Sequence, residues 1–517
     1  MLNKFKILDC TLRDGGYYTD WDFDDTLVEV YAEAMESLPI DYVEVGYRSI
    51  PLKGYLGQYF YCPEYVLERL KTLMPSKELT IILNEKDIRA SHISDGLLDP
   101  CKPYISLIRI AIDPKNMERA IDLAKEVKNE GFKVAFNVMY MSNWKADSSF
   151  LNHLKGVDDV IDYFYMVDSY GGVMPEDVKE TITLVKSKTN VPIGFHGHDN
   201  LEMALINTIT AIDAGCDIVD ATVTGMGRGA GNLKTELLLT YLENAKGLPV
   251  KYRELSKVVS EFEELRKFHQ WGTSLPYMFS GAKSLPQKQV MEWVGMNRYP
   301  LGSIINALNN QQQDIKDNLK LPVLKKVEKY KKAIILGGGL SSLSHKKAIQ
   351  KFFGNTKTEA CLVHAGTRNV LEYLDVKCDQ YYGLVGFESD KLLKQIGDFS
   401  KIDQTCIYPP YPRPMGTSIP IEIQKLSKEL GAITFTDATS DSPMALAIQA
   451  AIDLGAKEIY LVGFDGYDIN INQNQFVIAH ENQEVIDDAV NVSGVEVKTF
   501  TPTKYKNIEV LSIYSFL

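Results

Sequence analysis

From residue 6 to about residue 245, short apolar runs rich in β-branched residues alternate with stretches of helical periodicity. That alternation dictates a parallel sheet whose crossovers are helices. The runs are 6–10 (KILDC), 42–46 (YVEVG), 79–84 (LTIILN), 107–112 (LIRIAI), 133–140 (KVAFNVMY), 163–168 (YFYMVD), 192–197 (PIGFHG) and 218–224 (IVDATVT). Helical patterns fill the gaps, as at 24–37, 115–129 and 201–214. Eight strands are the number that closes a barrel, and about 250 residues is the usual length of one. An open doubly wound sheet alternates in the same way but commonly opens on a glycine-rich first turn, whereas the first turn here reads TLRDGGYY. The sequence therefore predicts an α/β fold, a (β/α)8 barrel over 1–248.

At 517 residues the chain exceeds one ordinary domain. Residues 249–328 read as a helical extension and linker, ending in the polar stretch NNQQQDIKDNLK. A fresh pattern begins near 329: a strand AIILGGG, a helix from about Ser344, strands around ACLVHAG and YYGLVGF, a strand ITFTDA, a helix ALAIQAAIDLG and a strand EIYLVGFD. This predicts a smaller, Rossmann-like α/β domain over 329–517. Its GGGLSS turn, Gly337, Gly338, Gly339, Leu340, Ser341 and Ser342, can set backbone N–H groups against a phosphate, though such a turn needs no ligand.

A net charge of −12 gives no reason to expect a nucleic acid or an anionic membrane as partner. The seven cysteines are odd in number and lack a CxxC pair, which fits reduced thiols in a cytoplasm. No run of about 18 apolar residues is present to span a bilayer, and the N-terminus lacks a signal core.

Polar residues crowd at the ends of the predicted strands, where barrels build active sites. Arg13 and Asp14 follow the first, Glu44 and Arg48 belong to the second, Asp168 and Ser169 end the sixth, His196 and His198 the seventh, and Asn232 follows the eighth. Alternate residues of a strand share one face, so both imidazoles can point into one barrel mouth. Two imidazoles and a carboxylate such as Asp14 suit one divalent transition-metal ion. An isolated HxH is equally at home as a surface pair, and the companion segments TLRDG and GMGRGAGN favour the metal.

Those three segments together resemble the pyruvate-carboxylase-like, or HMG-CoA-lyase-like, metal-dependent barrels, among which 4-hydroxy-2-oxovalerate aldolase is nearest in pattern. The family's opening D-x-T-L-R-D-G stands here as Asp9–Gly15, its H-x-H as His196-Gly197-His198, and its glycine-rich loop ending in Asn as residues 225–232. The resemblance implies Asp14, His196 and His198 as metal ligands, Asn232 as a further one, Arg13 as stabiliser of an enolate, and Ser169 as a contact of the substrate carboxylate. Glu44 is then either support for the site or a buried carboxylate paired with Arg13 or Arg48. The cation implied is Mn2+ or Mg2+, with Zn2+ or Co2+ also compatible with such ligands. The sequence departs from the family in three places. The loop has no cysteine, unlike HMG-CoA lyases; RDGGYY replaces the RDGEQ of condensing synthases; and Tyr17 stands where the hydroxy-oxovalerate aldolases carry a catalytic histidine.

The resemblance implies a metal-dependent aldolase (a carbon–carbon lyase) joining or parting a pyruvate-like 2-oxo acid and an aldehyde, chemistry that such a metal and Arg13 can serve. Tyr17, Tyr18 or a water is the base candidate, the alternative for both tyrosines being aromatic packing over the mouth. A Claisen-type acyl-CoA transferase and a non-catalytic scaffold are the competing readings. In the second half, GGGLSS, Asp441-Ser442-Pro443 and 451–465 resemble the domain of 6-hydroxymethylpterin-pyrophosphokinase-like proteins, motility accessory factors and some sialyltransferases. That resemblance implies a nucleotide or nucleotide-sugar site near Gly337–Ser341, Ser442 and Asp465, and hints at a sugar aldehyde in surface polysaccharide synthesis. A homo-oligomer is compatible with all of this.

Overall fold

A computed structural model describes residues 5–517 except 147, 297–298, 318, 357–358, 399, 401, 414–416, 438–440 and 468–472. The chain separates into two compact units, Met1–Met291 and Glu292–Leu517.

In the first unit eight strands close a barrel: β1 (Lys6–Asp9), β2 (Tyr42–Tyr47), β3 (Glu78–Asn84), β4 (Ile105–Ile112), β5 (Lys133–Val138), β6 (Tyr163–Asp168), β7 (Ile193–Gly197) and β8 (Ile218–Ala221). Every pairing is parallel, and β1 joins both β2 and β8. The two-residue period of the strands divides their side chains. Ile7, Val43, Ile108, Val134, Phe164, Ile193 and Val219 pack into the large core shared with the helices, whereas Leu8, Tyr42, Leu107, Ala135, Tyr165 and Ile218 form a separate inner cluster. Two steps further along the same inward parity lie Glu44, Arg109, Asn137, Asp220 and His196, so a polar layer sits on the apolar one. The sequence pattern thus decides not only that a barrel forms but at which depth it turns polar.

Two expectations at the strand ends change. The segment after β1 is no loop but a helix, α1 (Thr11–Thr19). Asp9 starts it by accepting from Thr11 N at 2.9 Å and Thr11 Oγ1 at 2.6 Å. Strand β8 stops at Ala221 rather than 224, because Val223 N turns to Thr11 Oγ1 at 2.8 Å instead of extending the ladder.

The second unit is a wholly parallel sheet of β9 (Lys332–Leu336), β10 (Ala360–His364), β11 (Asp379–Gly383), β12 (Thr405–Tyr408), β13 (Ser427–Glu429), β14 (Glu458–Val462), β15 (Glu496–Thr499) and β16 (Glu509–Val510). Its order is β13-β12-β11-β10-β9-β14-β15-β16, which reverses about β9 as in a Rossmann-like, doubly wound sheet. The expected strand ITFTDA does not form over residues 433–437, and residue 438 lies outside the described residues. Thr434 N is given to Gln449 Oε1 at 2.9 Å, a side chain of the helix Pro443–Asp453, so the ladder loses its donor. The short strands β12, β13, β15 and β16 escaped the sequence reading; at two to four residues they carry too little alternation.

All seven cysteines are free thiols. Among the described residues no helix is long and apolar enough to cross a membrane.

Candidate active site

Arg13 and Asp14 enter the barrel mouth from the first turn of α1, and His196 and His198 from the end of β7. His196 Nδ1 lies 2.8 Å from Asp220 Oδ2 and His198 Nδ1 lies 2.7 Å from the carbonyl oxygen of Asp168. A nitrogen facing an acceptor carries the proton, so each ring, when neutral, has its lone pair on Nε2. Burial, with His196 adding to it, lowers the His198 pKa to about 3 and holds that ring neutral. His196 Nε2 stands 3.6 Å from Asp14 Oδ2. That is a separation two ligands have when one ion lies about 2.0–2.2 Å from each.

Asn232 is brought in by the glycine-rich loop, which folds back on β7. Asp199 N donates to Gly231 O at 2.9 Å, and Leu233 N to Gly197 O at 3.3 Å. Gly231 has φ +81, and a Cβ there would stand 2.2 Å from Gly225 O, so only glycine fits this close turn. Asn232 Nδ2 then donates to Asp14 Oδ2 at 2.6 Å, while its Oδ1 is buried without a hydrogen-bond partner. Asp14 and His196 lie within reach of one ion, beside the orphaned Asn232 Oδ1, and these donors suit a divalent cation, whereas among the described residues His198 belongs to no group of three or more ligand atoms within 4.8 Å of one another.

Cys10, Asp14 and His196 also bring possible ligand atoms within 4.8 Å of one another. The Cys10 thiol donates to Ala221 O at 3.6 Å, and burial, reinforced by Asp220, Asp14 and Glu44, pushes its pKa up. Arg13 opposes that shift without reversing it. The sulfur stays protonated, which makes it a poor ligand.

Arg13 is buried and pairs with Asp14 through Nη1 and with Glu44 Oε2 through Nε at 2.6 Å. Burial works against its charge, but Asp14 and Glu44 outweigh it and hold the guanidinium firmly protonated. Glu44 is therefore support for Arg13. Its second partner is Arg109, 3.3 Å away, and not Arg48, which donates to the carbonyls of Leu97 and Tyr61.

Tyr17 lies on α1 four residues after Arg13 and so on the same face. It is 36% exposed, with its hydroxyl 3.3 Å from that of Tyr47. Tyr18 does not serve as a base: its hydroxyl donates to Gly229 O at 3.1 Å, and burial raises its pKa far above that of a free phenol. Ser169 accepts from Tyr140 N at 2.8 Å, leaving its own proton free to donate. Arg109, Asn137, Asp220 and Tyr47 were not singled out from sequence. The available signal was a charge inside an apolar strand, LIRIAI and IVDA, which costs too much to bury without a partner.

In the second unit Gly337 N, Gly339 N and Ser341 N are bonded to Val462 O, Gly463 O and Asp465 Oδ2 at 2.8, 2.8 and 3.0 Å. Ser341 Oγ also binds Asp465. Ser442 is the N-cap of the helix Pro443–Asp453, accepting from Ala445 N at 3.3 Å. A cavity of about 380 Å³ opens beside Gly337 and Gly338, lined also by Arg368, Asn369 and Lys391.

Fold and site together define a TIM barrel with a polar centre at the C-terminal mouth of its strands. Residues 108–269 match the HMGL-like family model. A 4-hydroxy-2-oxovalerate aldolase of Pelotomaculum thermopropionicum is 32% identical over 47% of this chain and 71% of its own length. An oxaloacetate decarboxylase of Mycobacterium tuberculosis is 26% identical over 46% of this chain and 69% of its own. The solved N-terminal domain of a candidate aldolase from Bacteroides vulgatus is 54% identical, covers 59% of this chain and all of that one (100%), and superposes with a TM-score of 0.56. The chain belongs to the HMGL-like family, whose relatives here are aldolases and lyases.

Proposed function

We propose that the barrel is a divalent-cation-dependent aldolase, making or breaking the bond between the enolate carbon of a pyruvate-like 2-oxo acid and an aldehyde. The observation that carries this reading is the approach of His196 Nε2 to Asp14 Oδ2, 3.6 Å apart, with Arg13 tied to the same carboxylate. Asp14, His196, His198 and Asn232 would hold the cation, Mn2+ or Mg2+, which when bound supplies Lewis acidity toward a carbonyl. Arg13 offers a fixed positive charge where negative charge grows on the ketone oxygen. Ser169, its proton free, would donate to the substrate carboxylate. Tyr17, exposed near the mouth, would take the proton of the aldol alcohol as the C–C bond parts while passing its own proton to solvent. Burial of its partner Tyr47 pushes that phenol's pKa well up, so Tyr47 stays protonated and can only relay.

An acyl-CoA condensation is less compatible. Gly16 stands where the RDGEQ pattern of condensing synthases has glutamate, and a Cβ there would lie 2.2 Å from the Trp21 indole, so this backbone does not admit that side chain as it stands. A second reading is favoured by Tyr17 itself. Decarboxylation of a 2-oxo diacid needs the same enolate stabilisation but no base for an alcohol proton, and one relative is an oxaloacetate decarboxylase. For the second unit we propose a nucleotide or nucleotide-sugar ligand in the cavity beside Gly337, pointing to a sugar aldehyde for the barrel and a cytoplasmic setting.

Metal-stripped protein is assayed for pyruvate consumption with a panel of aldehydes and for pyruvate release from oxaloacetate, before and after Mn2+ or Mg2+. The aldolase reading expects aldehyde-dependent turnover only with metal. Turnover of oxaloacetate alone selects the decarboxylase, and undiminished activity in chelator overturns both.

A further inference from the structure

Six side chains at the top of the barrel close a ring. Asp14 meets Arg13, Arg13 Nε meets Glu44 at 2.6 Å, and Glu44 meets Arg109 Nη1 at 3.3 Å. Arg109 Nη2 meets Asp220 at 2.6 Å, Asp220 meets His196 Nδ1 at 2.8 Å, and His196 Nε2 returns to Asp14 at 3.6 Å. Three carboxylates alternate around it with two guanidiniums and the His196 imidazole.

Arg109, like Glu44, stands two contacts from the nearest ligand along this ring and is fully buried on β4. Its plane is fixed on three sides: Nε donates to Asn137 Oδ1 at 2.8 Å, Nη2 donates to Asp220, and the guanidinium carbon lies 4.1 Å from the Tyr165 ring centroid. Its contact with Glu44 lacks hydrogen-bond alignment, and Glu44 Oε1, Asp220 Oδ1 and Arg109 Nη1 are buried without hydrogen-bond partners. A ring held for stability alone would satisfy those atoms. This one leaves them unmet while keeping Asp220 on His196 and Glu44 on Arg13.

We propose that Arg109 is a positioning residue for the cation site. By gripping Asp220 and Glu44 together it fixes His196 as the Nδ1–H tautomer, lone pair toward Asp14, and aims Arg13 at the same point. Only the purpose of this fixing rests on the cation reading above; the fixing itself belongs to the metal-free protein. Orienting partners of metal-binding histidines typically contribute about 10–100-fold to metal affinity. Lysine in place of Arg109 keeps the charge but not the fork, so it can hold one carboxylate and not both.

The test uses the full chain, 15N-labelled at histidine. Ring-nitrogen NMR of the metal-free protein reads the tautomer, and calorimetric titration with Mn2+ reads affinity. Wild type is expected to show His196 as Nδ1–H. Arg109→Lys is expected to show a tautomer mixture and Mn2+ binding weaker by about 10–100-fold. A wild-type tautomer and unchanged Kd in Arg109→Lys, whatever happens to Tm, overturns the proposal. Should that variant not fold, Asn137→Ala, which removes only the Nε anchor, is judged on the same two readouts. Wild type that shows the expected tautomer but takes up no Mn2+ removes the aldolase reading and leaves the positioning role intact.

Discussion

Replacing Arg13 separates its chemical role from its structural one. Alanine there would leave Asp14 and Glu44 buried, each short of a partner. Breaking such a buried pair costs about 3–5 kcal/mol, a large share of the roughly 5–15 kcal/mol that holds a domain together, so lost activity would say little about catalysis. Lysine keeps the charge between the two carboxylates but contributes a point rather than a planar fork, so it cannot face both and an enolate oxygen together. A fixed donor to a growing oxyanion is worth about 10²–10³ in kcat, roughly 2.7–4 kcal/mol. Arg13→Lys is therefore expected to keep Tm within a few degrees while kcat and kcat/KM for 2-oxo acid turnover fall together by about 100-fold or more. Steady-state kinetics beside thermal unfolding measure both. A variant keeping more than about a third of wild-type kcat would refute the assignment.

Two further outcomes follow from the geometry around the site. Burial raises the Asp168 pKa to about 6, although the N–H groups of Val173 and Gly172 pull it down. Between roughly pH 4 and 6 the folded state thus binds more protons on this group than the unfolded chain, and its contribution to stability falls as pH rises through that window. The stability of wild type minus that of Asp168→Asn, from urea unfolding, should decline by roughly 2–3 kcal/mol from pH 4 to 6 and then level off; a flat difference rejects the shift. Gly16→Ala sets a helix-propensity gain of about 1 kcal/mol against overpacking of about 1–3 kcal/mol. The overpacking should win, because Trp21 is held by its Nε1 bond to Arg13 O at 2.8 Å and by its edge contacts with Tyr17, Tyr47 and Phe60. Denaturant midpoints should drop, and a stabilised variant would show that the ring yields.

Much of the barrel was legible because its signal is local. The two-residue alternation of each strand and the spacing of His196 and His198 are properties of neighbouring residues. Asp9 and Thr11, two apart, start the helix that delivers Arg13 and Asp14, a local signal that the reading of this segment as a turn passed over. What stayed hidden was decided by closure. Arg109 and Asp220 are 111 residues apart, and nothing in either segment names the other until β4 and β8 face across one lumen. Glu44 was legible as a candidate, but its partners lie on other elements, Arg13 on α1 and Arg109 on β4. Likewise Tyr18, indistinguishable from Tyr17 in the string GGYY, was sorted by a rotation of about 100° along α1 that turns its hydroxyl to Gly229 O. Sequence settles periodicity and therefore which way each residue faces; only the closed barrel settles what it faces, because burying a charge is tolerated solely where the fold brings its opposite within reach.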